Sequence, residues 1–85
     1  MIAGVFSANP QLMVHVAAYT DNIGRTDNNL ALSGKRARAL VDKLAGMGVA
    51  EDRFTWEGLG EEDPIADNST LEGRTLNNRI VLSKR

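Results

Sequence analysis

The sequence contains no cysteine. Disulfides, thiol nucleophiles and zinc sites built on cysteine are therefore excluded. The absence names no compartment, since many proteins of oxidising compartments lack cysteine. Histidine occurs once, and aromatic residues make up only 5% of the chain. No apolar run approaches the ~20 residues that a bilayer-crossing helix needs. Met1-Ile2-Ala3-Gly4-Val5-Phe6 is too short for the apolar centre of an export signal and has no basic lead-in. If the mature protein is exported, its signal is expected outside this chain. There is no excess of either charge: the formal net charge is −1 and the pI is near 5.7. The basic residues are scattered among acids. The phosphate-neutralising surface of a nucleic-acid binder is thus missing, and no nucleic-acid partner is expected.

What is present fits one small domain spanning residues 1–85. Hydrophobic residues are 42% and charged residues 25% of the sequence, the balance of an ordinary globular chain. A domain of 85 residues stabilises itself only marginally. Residues 1–8 have Ile2, Val5 and Phe6 at helical spacing, and Asn9-Pro10 ends that helix because the residue before proline leaves the helical region. Leu12 to Tyr19 alternates as a strand with Leu12, Val14, Val16 and Ala18 on one face and Met13, His15, Ala17 and Tyr19 on the other. Both faces are largely apolar, which predicts a central strand. A polar loop, Thr20 to Asn28, leads to a long helix predicted from Asn29 to Met47 with Ala37, Leu40, Val41, Leu44 and Met47 as its apolar stripe. Gly48 suits a left-handed cap, with Val49 folding back as its hydrophobic contact.

Arg53 to Glu57 predicts a second strand with Phe54 and Trp56 facing the core, broken by a turn at Gly58-Leu59-Gly60. After a loop from Glu61, Thr70 is placed to cap a short helix through Leu76. Arg79 to Ser83 predicts a final strand, with Ile80 and Leu82 on one side and Val81 on the other. Strand, helix and strand from Leu12 to Glu57 leave room for a parallel crossover. The predicted fold class is therefore α/β (α+β): a two-layer sandwich with a small mixed sheet and helices on one face.

Asp21 follows directly on the central strand, at the carboxyl end where ligands gather in open α/β sheets. Arg36 lies in the first half of the long helix. The pair could flank one cleft; composition and spacing alone favour a plain ion pair or two solvated charges. Asp21 to Asp27 is a poor calcium loop, because Ile23 fills a ligand position and Leu32 stands where a bidentate glutamate is needed. Gly58-Leu59-Gly60 lacks the third glycine and the lysine of phosphate loops. His15 reads as a packed or half-exposed strand residue. Glu61-Glu62-Asp63 reads as a solvated loop, although paired carboxylates are the tools of glycan hydrolysis. Nothing in the sequence suggests the desolvated acid such work requires. Neither a metal nor a cofactor is expected.

Longer motifs add to this reading. Thr20-Asp21-Asn22-Ile23-Gly24, then Asn29, Leu32-Ser33 and Arg36-Ala37 keep the spacing TDxxGxxxxNxxLSxxRA. Gly58-Leu59-Gly60-Glu61, then Pro64 to Thr70, Glu72-Gly73-Arg74 and Asn77-Asn78-Arg79-Ile80-Val81 follow in order. Together these resemble the peptidoglycan-binding domain of the OmpA family over most of the chain, and so many ordered motifs are far more specific than one short match. The resemblance implies non-covalent binding of the diaminopimelate residue of the peptidoglycan stem. It implies that Asp21 accepts hydrogen bonds from the ligand's ammonium and that Arg36 pairs with its carboxylate, a role suited to the guanidinium fork. Thr20 and Asn29 would support the site, along with backbone N–H groups near the helix start, and Arg79 would line the same cleft. A non-enzymatic anchor at the periplasmic face of the outer membrane of a Gram-negative cell envelope is implied, as part of a porin, lipoprotein or flagellar-stator protein. An interaction domain that kept the fold without the ligand is the alternative, and a cell-wall hydrolase a distant one.

The departures from the family are Ala18 and Tyr19 where Gly and His are frequent, and Asn78 where Arg is usual. The family's first strand and the start of its first helix have no counterpart, and an acidic side chain from that region commonly completes the family's site. An N-terminally truncated domain is expected, with an open sheet edge that invites self-association.

Overall fold

The structure, a computed structural model, describes residues 2–84. Elements follow in the order α1 (Ile2–Ala8), β1 (Val14–Tyr19), α2 (Thr26–Gly46), β2 (Phe54–Gly60), α3 (Leu71–Asn77) and β3 (Arg79–Lys84), with a single 3-10 turn at Glu51–Arg53 before β2. Strand order is β2-β1-β3. β1 pairs parallel with β2 and antiparallel with β3, so the sheet is mixed and β1 is its centre, as the two apolar faces of that strand predict. Met1, in the predicted first helix, lies outside the described residues, as does the side chain of Ile2.

The core forms where α2 crosses β1 and β2. Val14, Val16 and Ala18 from β1 meet Ala37, Val41 and Leu44 from α2, closed by Phe6, Val49 and Phe54. The rings of Phe6 and Phe54 are tilted with centroids 5.0 Å apart, a favoured aromatic geometry. Arg53 ties α1 down. Its guanidinium donates to the carbonyls of Leu12, Phe6 and Asn9 and stacks on the Phe6 ring at 4.9 Å. The Phe6 and Asn9 carbonyls also accept from the Asn9 and Leu12 N–H groups, so the guanidinium adds a second bond to each of these turns.

Helix ends obey local chemistry. Gly48 has φ +96, and the Val49 N–H reaches back to the Leu44 carbonyl at 3.1 Å, giving the left-handed cap and the buried Val49 that the sequence predicts. The Thr70 side chain accepts from the Gly73 N–H at 2.9 Å and caps α3, which runs one residue past the predicted Leu76.

Four expectations are corrected. α2 starts at Thr26 rather than Asn29; its N-cap, Arg25, offers no side-chain acceptor, so no capping signal marks the boundary. Met47 is not part of the buried stripe: it is the C-cap and is 45% exposed. Gly58-Leu59-Gly60 does not break β2, which continues to Gly60. Here glycine serves close packing rather than a turn, since a Cβ on Gly58 would collide with the backbone nitrogen of Gly34 in α2. Trp56 faces the helix layer as expected but is 41% exposed, because β2 is an edge strand and the indole lies over Gly34 at the rim, with Arg38 5.9 Å from its ring.

Candidate functional site

The carboxyl end of β1 and the loop after it carry the candidate site. Thr20 is buried; its N–H donates to the Gly60 carbonyl at 2.7 Å and its hydroxyl to the Asp21 carbonyl at 2.7 Å. The loop then turns on Asp21, whose Oδ1 accepts from the Ile23 N–H at 3.0 Å, a local closure typical of Asp in turns. Asn29, buried in the first turns of α2, donates to the Ile23 carbonyl at 3.0 Å and approaches that of Asp21 at 3.5 Å. Thr20 and Asn29 therefore fix the backbone that presents Asp21.

Asp21 is also held from the far end of the chain. Its N–H donates to Asn78 Oδ1 at 3.0 Å, and its Oδ2 accepts from Asn78 Nδ2 at 2.9 Å. Asn78 in turn forms one wall of an open cleft of about 400 Å³ whose other walls are Tyr19, Arg36, Arg79 and Ile80. Asn78, which bonds the Asp21 carboxylate and shares the lining of the cleft with Arg36, is thus the link between Asp21 and Arg36. They form no ion pair with each other, and among the described residues neither has an oppositely charged partner within 4.0 Å. The plain ion-pair reading of Asp21 and Arg36 is removed by this geometry.

Arg79 lines the cleft as the resemblance implies, and two of its N–H groups donate to backbone carbonyls. They reach the Asp63 carbonyl at 2.8 Å and the Asn77 carbonyl at 3.2 Å, and the guanidinium lies 3.9 Å over the Tyr19 ring. Its cation adds to the field of the cleft while its hydrogen bonds hold the loop before α3. Tyr19 and Asn78 are cleft residues that sequence reasoning noted only as departures. The signal that finds them is the register: antiparallel pairing of β1 with β3 sets Tyr19 opposite Arg79, which places both beside Asp21.

Other motif residues serve the scaffold. Ser33 is fully buried, and its hydroxyl accepts from the Gly60 N–H at 2.9 Å while donating to the Leu30 carbonyl at 2.8 Å, stitching α2 to β2. Asn77, also fully buried, accepts from Ile65 and Ala66 N–H groups and donates to the Ala66 carbonyl and Asn68 Oδ1, so one side chain organises the Pro64–Thr70 loop. In that loop the Ser69 backbone and side chain hold the Asp67 carboxyl below its usual pKa. His15 lies on the open sheet face, bonded to Thr55 Oγ1 at 2.6 Å and Glu57 Oε1 at 3.1 Å. A larger groove at the opposite end, lined by Ala8 to Leu12 and Lys84, brings together no pair of opposite charges.

The sequence pattern of the OmpA family matches residues 1–78. The chain is 42% identical over 81 residues to the peptidoglycan-binding protein ArfA of Mycobacterium tuberculosis, covering 95% of this chain and 25% of ArfA. It is 39% identical over 82 residues to the probable lipoprotein YiaD of Escherichia coli, covering 96% of this chain and 37% of YiaD. Among solved structures, the peptidoglycan-associated lipoprotein from Burkholderia pseudomallei superposes with a TM-score of 0.92 at 30% identity, covering 99% of this chain and 71% of that one. The chain spans about a quarter of ArfA and a little over a third of YiaD.

Proposed function

This chain belongs to the OmpA family, and we propose that it is a non-catalytic module that grips the diaminopimelate residue of the peptidoglycan stem and so tethers an envelope protein to the cell wall. The observation that carries this reading is a pair of opposite charges that Asn78 links: it bonds the Asp21 carboxylate and lines the cleft with Arg36. Asp21 is oriented by neutral hydrogen bonds, and Arg36 stands free of any carboxylate among the described residues. A zwitterionic amino-acid end bearing an ammonium and a carboxylate complements that arrangement. The guanidinium fork supplies two-point recognition of the carboxylate, and Asp21 takes the ammonium. Thr20 and Asn29 set the loop, and Arg79 and Tyr19 form the wall. Two relatives, a peptidoglycan-binding protein and a peptidoglycan-associated lipoprotein, support the same ligand class.

The compartment proposed is the cell envelope, at the periplasmic face of the outer membrane of a Gram-negative cell. The lipoproteins among the relatives support an envelope setting. A second reading, an interaction domain of the same fold that has lost the ligand, is favoured by one observation: Ile80, Val81 and Leu82 are all more than 40% exposed along β3. Sedimentation with purified sacculi separates the readings. The protein is expected to pellet with insoluble wall and to release no soluble fragments. Failure to pellet at any protein concentration favours the interaction domain, and release of muropeptides overturns the non-catalytic claim in favour of a hydrolase.

A further inference from the structure

The flank of α2 opposite the cleft carries a second groove, of about 440 Å³, walled on one side by Trp56 of β2. Trp56 is the only tryptophan of the chain and is 41% exposed. The small residues Ala31, Gly34 and Ala39 of α2 line the groove, so the helix leaves room beside the indole. A Cβ on Gly34 would already lie 4.0 Å from the ring. Lys35, Arg38 and Asp42 complete the lining. Arg38 does not cap the indole. Its guanidinium stands 5.9 Å from the ring centroid, near the outer limit of a cation–π contact, and donates instead to Asp42 at 2.9 Å, with Glu51 3.7 Å away. A flat aromatic face bordered by charged hydrogen-bonding groups suits a ligand with an apolar face and polar edges, which is the chemistry of a pyranose ring.

We propose that this groove is a glycan subsite: a sugar of the wall polymer stacks on Trp56 while the stem peptide attached to that polymer enters the cleft at Arg36. The occupant follows from the stem-peptide reading above, on which this inference rests, because the stem peptide is a branch of a glycan. The geometry matches that branch. Residues 35 and 36 are neighbours in α2, yet Lys35 lines the groove and Arg36 lines the cleft. At 3.6 residues per turn the groove residues centre about 130° around the helix axis from Arg36, at the same height along it. The two sites are therefore separated by the width of one helix, ~10–12 Å with side chains. Diaminopimelate stands third in the stem, and three extended residues reach roughly 10 Å. A stem peptide laid over the outer surface of α2 thus joins a sugar at Trp56 to a diaminopimelate at Arg36. Two linked contacts act as one ligand, so even a weak sugar contact raises the affinity for wall above that for free peptide.

The test compares three probes: chitotetraose, a neutral N-acetylglucosamine oligomer; a stem tripeptide carrying diaminopimelate; and the same tripeptide joined to its N-acetylglucosamine–N-acetylmuramic acid unit. Because Trp56 is the only tryptophan, its emission reports the groove, while calorimetric titration reports both sites. The proteins are wild type, Trp56→Leu, Ala39→Leu and Asp21→Ala, each shown folded by circular dichroism. Ala39→Leu keeps the indole and a good helix former while filling the groove. Wild type is expected to bind the sugar-linked tripeptide about tenfold more tightly than the bare one. Its emission should shift saturably with that probe and with chitotetraose, but not with the bare tripeptide. In Trp56→Leu and Ala39→Leu the preference should fall toward one, with the bare tripeptide bound as in wild type, and Ala39→Leu should lose the shift with chitotetraose. Equal affinity of wild type for the two peptides, or a preference kept in both folded variants, overturns the inference. So does emission that shifts with protein concentration alone, which assigns the groove to a second copy of the chain. If the bare tripeptide fails to bind wild type, or binds Asp21→Ala equally well, the stem-peptide reading fails. The chitotetraose titration then decides the groove by itself, and the lack of a saturable shift removes the glycan subsite as well.

Discussion

Gly58 lies in β2 with the backbone of α2 directly above it, and the Gly58-to-Ala18 pairing places this contact next to the site-bearing end of β1. A methyl group there has nowhere to go, since the nearest atoms are the Gly34 backbone and the Ser33 hydroxyl rather than the end of a flexible chain. Gly58→Ala should cost about 2–3 kcal/mol, the upper part of the range for overpacking. In a domain of this size that lowers the melting temperature by roughly 10 °C or more. Thermal denaturation checks this, and an unchanged melting point would mean that α2 is not seated on β2 as described. At this scale the sequence is an uneven guide. Asp21 and Arg36 stand out only through the motif spacing TDxxGxxxxNxxLSxxRA, because a charge at a strand end and another in a helix are by themselves equally at home in solvent. Ser33, Asn77 and Gly58 stand out in the motifs, but nothing local reveals that two of them bury their polar atoms to join elements and the third admits a helix. Those roles depend on contacts 27, 12 and 24 positions apart in sequence.

β3 is the element whose surroundings are least complete. It pairs with β1 on one side, and among the described residues its other edge has no strand beside it. Its burial falls off along its whole length, with Ile80, Val81 and Leu82 at 41%, 42% and 41% exposure. A strand edge with open N–H and C=O groups and exposed β-branched residues is a template for another strand. The isolated 85-residue polypeptide should therefore show a mass that rises with concentration in sedimentation velocity. Val81→Lys, on the face away from the core, should suppress that association without unfolding the chain. A monomer at every concentration would show that this edge is inert. The elements themselves were readable from periodicity, and the caps at Gly48 and Thr70 from residue type. Boundaries failed where no side chain announces them: α2 begins on Arg25 with backbone contacts alone, and β2 runs through glycines that ordinarily signal a turn.

Across the whole molecule, three distant segments converge on the Asp21 loop and the cleft beside it. The end of β1 supplies Asp21, the first turns of α2 supply Asn29 and present Arg36, and the α3–β3 junction supplies Asn78 and Arg79. The mixed sheet makes this convergence, because β3 returns antiparallel beside β1 and brings Arg79 opposite Tyr19. The core lies under α2, away from these charges, so removing them should not unfold the protein. Removing either charge breaks a two-point grip on the ligand, so the two effects should be strongly non-additive. The most direct test is calorimetric titration of a diaminopimelate-containing stem peptide into wild type, Asp21→Ala, Arg36→Ala, Arg36→Lys and the double alanine variant, each shown folded by circular dichroism. The account predicts measurable binding by wild type, near-complete loss in each single alanine variant, no rescue by Arg36→Lys because an ammonium lacks the planar fork, and little further loss in the double variant. Wild-type affinity in folded Arg36→Ala or Asp21→Ala would contradict it.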